Sequence, residues 1–201
     1  LLVSDPRVEP VAMVGGGKCP ATAPVKQYNV SAINVEITLN QWLDFYPGYM
    51  YVLDEDIDKV RAEETKNKEA RDKEGFDPGA VIPGVQAQWI QPLTIRANQG
   101  DCVKIKLSNK LEGGEDVSLH IHGSSMVVSA TGAAATTANS DAIANKDKSV
   151  DLEWYIHPSL QEGVRQFHTY SNDRELTVMG MFGSFVVEPK GSTYWEPLGT
   201  G

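Results

Sequence analysis

The chain has 201 residues, enough for one elaborated domain with a proper core, and its 41% hydrophobic and 22% charged content is that of a globular protein. No apolar run approaches the roughly 20 residues that a membrane-spanning helix needs, so no membrane span is expected. A formal charge of −9 argues against nucleic acid as a partner, because a phosphate backbone calls for a Lys/Arg surface that this balance does not supply.

The chain opens Leu1-Leu-Val-Ser4 without Met, which suggests a processed protein or a piece of a longer one. Residues 1–24 contain Gly15-Gly-Gly17 and four prolines and read as an extended N-terminal arm. From Tyr28 to Leu39 the pattern alternates, with Val35, Ile37 and Leu39 on one face, as in a half-buried strand. Asn29-Val-Ser31 matches a glycosylation sequon, a short motif of little weight. Residues 54–74 are almost wholly charged, with Glu64/Lys68 and Glu69/Lys73 at helix-supporting separations and Gly75 as a stop. The expectation is a solvated helical surface insertion, with a docking surface for a partner as the second reading.

Between Ile90 and Asn109 two strands flank a turn at Asn98-Gln-Gly-Asp101, and in the second Val103, Ile105 and Leu107 alternate with Lys104, Lys106 and Ser108. Residues 129–149, rich in Ala, Thr, Ser, Asn and Gly, predict a long polar loop. Strand pattern resumes over Val150–Ile156, then Arg165–Tyr170 after a turn at Pro158 to Gly163, then Met181–Pro189. Residues 191–201 read as a linker toward a following domain. Many short strands with frequent Gly/Pro turns predict an all-β Greek-key sandwich or barrel over residues 25–190.

Cys19 and Cys102 form no Cys-x-x-Cys pair, which weakens a zinc-knuckle or redox-motif reading. In an oxidising compartment they can bridge, closing a loop of about 80 residues worth on the order of 4 kcal/mol. Two buried free thiols are the alternative.

The chemistry concentrates in Ser118-Leu-His-Ile-His-Gly123. Strand side chains two positions apart share a face, so His120 and His122 present two imidazoles together, opposite Val117, Leu119 and Ile121. All four histidines, at 120, 122, 157 and 168, fall in the C-terminal half, which favours a localised site. Neutral imidazoles suit copper, zinc, nickel or iron, and His168 can add a third if its strand neighbours the first. A hydrogen-bonded structural role is the alternative for any single histidine. The absence of His-Glu-x-x-His and of Gly-x-Ser-x-Gly weakens metalloprotease and serine hydrolase readings. Met126, Met179 and Met181 read as core packing before thioether ligands, Asp173, Arg174 and Glu175 as a solvated loop before proton carriers, and Trp154, Tyr155 and Trp195 as packing.

Leu119-His-Ile-His-Gly123, followed by Gly163-Val-Arg-Gln-Phe-His-Thr-Tyr-Ser171 and Gly180-Met-Phe-Gly-Ser-Phe-Val-Val-Glu-Pro189, resembles the N-terminal cupredoxin domain of multicopper oxidases, as does the strand pair from Ile95 to Leu111. The resemblance covers roughly residues 25–190. It implies a Greek-key β-sandwich, export to the periplasm or outside the cell, and copper centres that oxidise a small substrate while reducing dioxygen. It also implies that His120 binds a type 2 copper and that His122 and His168 bind one type 3 copper of a trinuclear site.

Tyr170 stands where the family's last histidine is expected. It would serve as an unusual phenolate ligand or a hydrogen-bond donor, or His157 would approach instead, or the cluster is incomplete. The remaining ligands, including a Cys on the electron path from a type 1 copper, come in this family from another cupredoxin domain, of the same protein or another subunit. The isolated chain is therefore expected to be inactive. A non-catalytic cupredoxin-like module with a degenerate copper site, used for structure, copper binding or partner docking, is the rival reading.

Overall fold

The structure is a computed structural model that describes residues 17–40, 42–73, 88–136, 138–171 and 173–193. Two sheets face each other. The first has five strands: β1 (Val25–Thr38), β2 (Phe45–Leu53), β4 (Cys102–Asn109), β6 (Val127–Val128) and β7 (Ser149–Tyr155), in the order β2-β1-β4-β7-β6. The second has four: β3 (Leu93–Asn98), β5 (His120–Ile121), β8 (Gly163–His168) and β9 (Phe182–Glu188), in the order β3-β9-β8-β5. β1 runs parallel to β4 and β3 parallel to β9; the other pairs are antiparallel.

Alternation in each strand sends one row of apolar side chains inward. Val30, Ala32, Tyr51, Val103, Ile105, Leu107, Leu152 and Trp154 from the first sheet meet Ile95, Ala97, Phe167, Phe185 and Val187 from the second. β3 and β4, adjacent in sequence, belong to opposite sheets, so the turn at Asn98-Gln-Gly-Asp101 is a crossing between layers and not a hairpin. Gly100 takes φ +92° there, and the Asp101 carboxylate accepts the Asn98 N–H at 2.9 Å.

The charged stretch forms α1 (Ile57–Arg71), preceded by a 3-10 turn at Asp54–Asp56. It is not merely solvated, as its composition suggested. Val60, Glu63 and Asn67 share one helix face and are buried, and Val60 joins Ile33, Val35, Met50, Val52 and Ile90 in a second apolar cluster on the outer face of β1 and β2. Polar contacts supply most of the remaining grip. Both Glu63 oxygens accept the backbone N–H groups of Gln88, Trp89 and Ile90 at 2.8–3.2 Å. Glu64 accepts the Glu36 N–H at 2.7 Å and pairs with Arg61 at 2.6 Å, and Arg71 pairs with Glu36 while lying 3.7 Å over the Phe45 ring. The expected stop at Gly75 lies outside the described residues.

Of the N-terminal arm, residues 1–16 lie outside the described residues. Residues 17–24 lie along the first sheet: Gly17 accepts the Tyr155 N–H, Pro24 accepts the Cys102 N–H, and Cys19 is bonded to Cys102 across 83 positions with Cα atoms 5.5 Å apart. The bridge, and not two free thiols, is what the fold holds.

The 129–149 stretch is more structured than a polar loop. It contains a 3-10 turn at Ser140–Ala142, bridges Val117 to Ala144 and Val127 to Ala134, and buries Ala135, Ala142 and Ala144. Of the proposed linker, residues 194–201 lie outside the described residues, as does Trp195. No helix among the described residues is long and apolar enough to cross a membrane.

Candidate metal centre

β5 is an edge strand of only two residues, and its register with β8 puts His120 opposite His168 and Ile121 opposite Phe167. Ile121 and Phe167 are fully buried, so alternation turns both histidines to the outer face of the four-stranded sheet. The His122 N–H donates to the Gln166 carbonyl at 2.9 Å, which extends the pairing one residue before Gly123 turns the chain at φ +70°.

Four rings gather there. Tyr170 lies 4.7 Å from His120 and 4.6 Å from His168 between centroids, and His122 lies 5.0 Å from His168 and 5.8 Å from His120. The Nε2 atoms of His122 and His168 stand 2.9 Å apart. His168 Nδ1 lies 2.7 Å from the Thr169 carbonyl, an acceptor, so Nδ1 carries the proton and Nε2 presents its lone pair. At His120, Nδ1 lies 3.3 Å from the Ala135 carbonyl, which likewise leaves Nε2 as the ring's free donor atom. Burial lowers the His120 pKa from 6.5, partly offset by that carbonyl, and so favours the neutral ring that can bind a metal.

Imidazole nitrogens bind such ions at about 2.0–2.1 Å, so two on one ion stand about 2.9 Å apart at a right angle and about 3.3 Å apart at a tetrahedral one. The His122/His168 pair fits with little movement. Among the described residues, however, no group of three or more His, Cys, Asp or Glu side chains is arranged to hold one metal ion. What the chain assembles is a pair of nitrogens, with His120 and Tyr170 beside it. A cavity of about 290 Å³ adjoins them, walled in part by Asp116, Ser118, His120, Tyr170 and Ser171.

His157 does not join this group. It sits between β7 and β8, ahead of Gly163, with Nδ1 2.7 Å from the Ser159 hydroxyl. Strand β8 then runs five residues to His168, about 17 Å at the usual rise. Met126 and Met181 are core residues, and Trp154 packs on Phe185. The expected loop after Tyr170 contains a short helix, α2 (Asp173–Val178), in which Glu175 accepts the Tyr49 hydroxyl at 3.3 Å. Sequence reasoning passed over Ser118, Thr169 and Tyr51, three hydroxyl residues that tie the two histidine segments together. Ser118 was within reach, lying two positions before His120 and so on the same strand face.

A two-sheet sandwich with histidines at the rim of the second sheet defines a cupredoxin-like domain. The multicopper oxidase family model matches residues 72–192, more than half of the chain, and the chain belongs to that family. Two solved structures agree on the fold. A multicopper oxidase matches at TM-score 0.53 and 17% identity over 90% of this chain and 49% of its own, and the copper nitrite reductase from Nitrosomonas europaea at 0.50 and 14% over 86% and 45%. The multi-copper oxidase from Pseudomonas thermotolerans matches at 0.48 and 16% over 87% of this chain and 32% of its own. The chain thus spans a third to a half of the length of these proteins. No match was found among curated proteins.

Proposed function

We propose that the chain is the N-terminal cupredoxin domain of a multicopper oxidase and supplies half of the ligands of a trinuclear copper site, the other half coming from a further cupredoxin domain of the same protein or another subunit. The observation that carries this reading is the pair of Nε2 atoms of His122 and His168, brought to 2.9 Å across an edge strand with His120 and Tyr170 beside them. His122 and His168 would hold one type 3 copper, and His120 the type 2 copper. Tyr170 would sit between them as a phenol ligand or as a donor to one.

Copper there would supply one-electron redox chemistry toward dioxygen while a small reducing substrate is oxidised elsewhere in the protein. This chain's own residues orient the donors. The Thr169 carbonyl fixes the His168 tautomer and the Ala135 carbonyl that of His120, so each ring presents Nε2. The Cys19–Cys102 bridge supports an extracytoplasmic location, since such bonds persist in oxidising compartments. The strand orders are compatible with the Greek-key connectivity expected from sequence.

Two observations favour the rival, a cupredoxin-like module without catalysis: the phenol of Tyr170 in place of an imidazole, and the lack of a three-donor group among the described residues. Copper analysis of the intact parent protein separates the two. Stoichiometric copper with dioxygen consumption on an electron donor is the expected result; no copper after reconstitution and no consumption on any donor refutes the oxidase. His122→Ala should lower copper occupancy, and unchanged occupancy with an unchanged spectrum would remove His122 from the ligand set.

A further inference from the structure

We propose that the buried hydroxyls of Ser118 and Thr169 are positioning residues that set His168 and Tyr170 against His120, taking over where the strand ladder ends. The regular pairing of β5 with β8 covers only two residue pairs, so beyond His168 no ladder fixes the chain that carries Tyr170. Side chains do so instead. Ser118 Oγ accepts the Tyr170 N–H at 2.9 Å and the Ser171 N–H at 3.3 Å. Thr169 Oγ1 accepts the Ser118 N–H at 3.2 Å and the Ser171 N–H at 3.1 Å, and donates to the Ser171 carbonyl at 3.1 Å.

The two hydroxyl oxygens also stand 3.4 Å apart, a contact in which either could donate. Thr169 is fully buried, so loss of its hydroxyl leaves the Ser118 N–H without an acceptor, while Ser118 is nearly buried at the wall of the adjoining cavity. From the opposite sheet, the Tyr51 hydroxyl donates to the Ser118 carbonyl while its ring packs 5.5 Å from Phe167. Ser118 is thus held from both sides.

The consequence for the site runs through Thr169. Its side chain is clamped to Ser118, and its carbonyl is the group that holds His168 Nδ1 and so aims Nε2 at His122. If the hydroxyl pair is lost, the carbonyl keeps only the long contact from the Thr177 hydroxyl at 3.4 Å, and its hold on the His168 Nδ1–H loosens. Both act through the rings they fix.

The test compares Thr169→Val, which keeps the shape and removes the hydroxyl, with Thr169→Ser, which keeps the hydroxyl, alongside Ser118→Ala and the milder Ser118→Cys. Two readouts are taken on the 201-residue chain: the His168 tautomer by long-range nitrogen–proton NMR without metal, and the affinity for added Cu(II). Thr169→Val and Ser118→Ala should turn the single Nδ1–H tautomer into a mixture and weaken Cu(II) binding about 10- to 100-fold. Thr169→Ser should restore both, and Ser118→Cys should fall between.

Ile105→Val, in the core of the other sheet, should change neither readout. The Cu(II) readout rests on the copper reading above, and the tautomer readout does not. Wild-type chain that binds no Cu(II), with a tautomer that still shifts in Thr169→Val, sinks the copper reading and supports the positioning role. An unchanged tautomer and unchanged affinity in folded Thr169→Val overturn the positioning role, as does a Thr169→Ser that behaves like Thr169→Val.

Discussion

The covalent link between Cys19 and Cys102 makes the sharpest stability prediction. The two positions are 83 apart, so the bond closes a loop of about 84 residues, and the chain-entropy relation puts the denatured-state restriction at about 4.5 kcal/mol. That is a large share of the roughly 5–15 kcal/mol by which domains of this size are stable. The folded state gives little reason to discount it: Cys102 is fully buried in β4 and the Cys19 N–H donates to the Glu153 carboxylate at 3.3 Å. The double variant Cys19→Ala with Cys102→Ala, unfolded in urea beside the wild type with and without reductant, should lose about 3–5 kcal/mol. With a slope near 3 kcal/mol per molar, the midpoint should fall by about 1–1.7 M. Reductant should move the wild type to the variant's midpoint and leave the variant unmoved. Two alkylatable thiols in unreduced wild type, or a loss below about 1 kcal/mol, would refute the reasoning.

Glu63→Gln keeps the shape but turns an amide NH₂ toward backbone N–H groups that now meet carboxylate oxygens, and should cost about 2 kcal/mol of unfolding free energy; a cost near zero would mean that α1 is not tied to residues 88–90 in this way. Gly17→Ala should destabilise strongly, because an added Cβ would stand 1.7 Å from the Ser125 carbonyl oxygen, and a thermal midpoint equal to wild type would contradict that approach. His120 takes up its proton below pH 6.5 in the fold because of burial, and near 6.5 when unfolded. Its share of stability is therefore complete above about pH 6.5 and drains as the pH falls toward the lowered folded value. An NMR titration should place the His120 midpoint below 6.5, and His120→Gln should flatten the acid side of the stability profile; a midpoint at or above 6.5 counts against burial as the cause.

How far the sequence carried depended on whether local pattern and tertiary role agreed. In β4, β7 and β9 the apolar alternation is largely the burial pattern, so the strands were legible. β1 was legible as a strand but not as a one-faced one: Val30 to Ile33 are buried in succession because α1 covers the outer face, and Leu39, expected on the buried face, lies beyond the strand and is exposed. β2 was not legible, because Pro47-Gly48 reads as a turn. Pro47 is tolerated because β2 is the edge of its sheet, and Gly48 is needed because a Cβ there would meet Ile37 and the Met179 carbonyl at 2.6 Å. α1 was legible as a helix but its docking was not, since Glu63 and Asn67 are buried through backbone and hydroxyl partners that no apolar period signals. The disulfide was legible only as an option, because pairing depends on Cα separation and not on sequence distance.

At the site, His120 and His122 were legible from spacing, and His168 joined them once β5 and β8 proved to be neighbours in register. Spacing said nothing about what fixes the rings. An imidazole binds a metal through one nitrogen only if something else holds the proton on the other, and here those acceptors are the carbonyls of Ala135 and Thr169, supplied by loops with no motif of their own. Tyr170 follows the same logic. In the strand alternation it takes the face of His168, yet its backbone is held by Ser118 and not by a ladder, so its ring position is set by a side-chain contact 52 residues away. On the proposed function, a phenol held there is in place to meet the ligands that a further domain would bring to His120 and His168. Its replacement by imidazole, Tyr170→His, should raise copper occupancy of the parent protein if the site is short of one ligand, and should leave it unchanged or lower it if the phenol already fills that place.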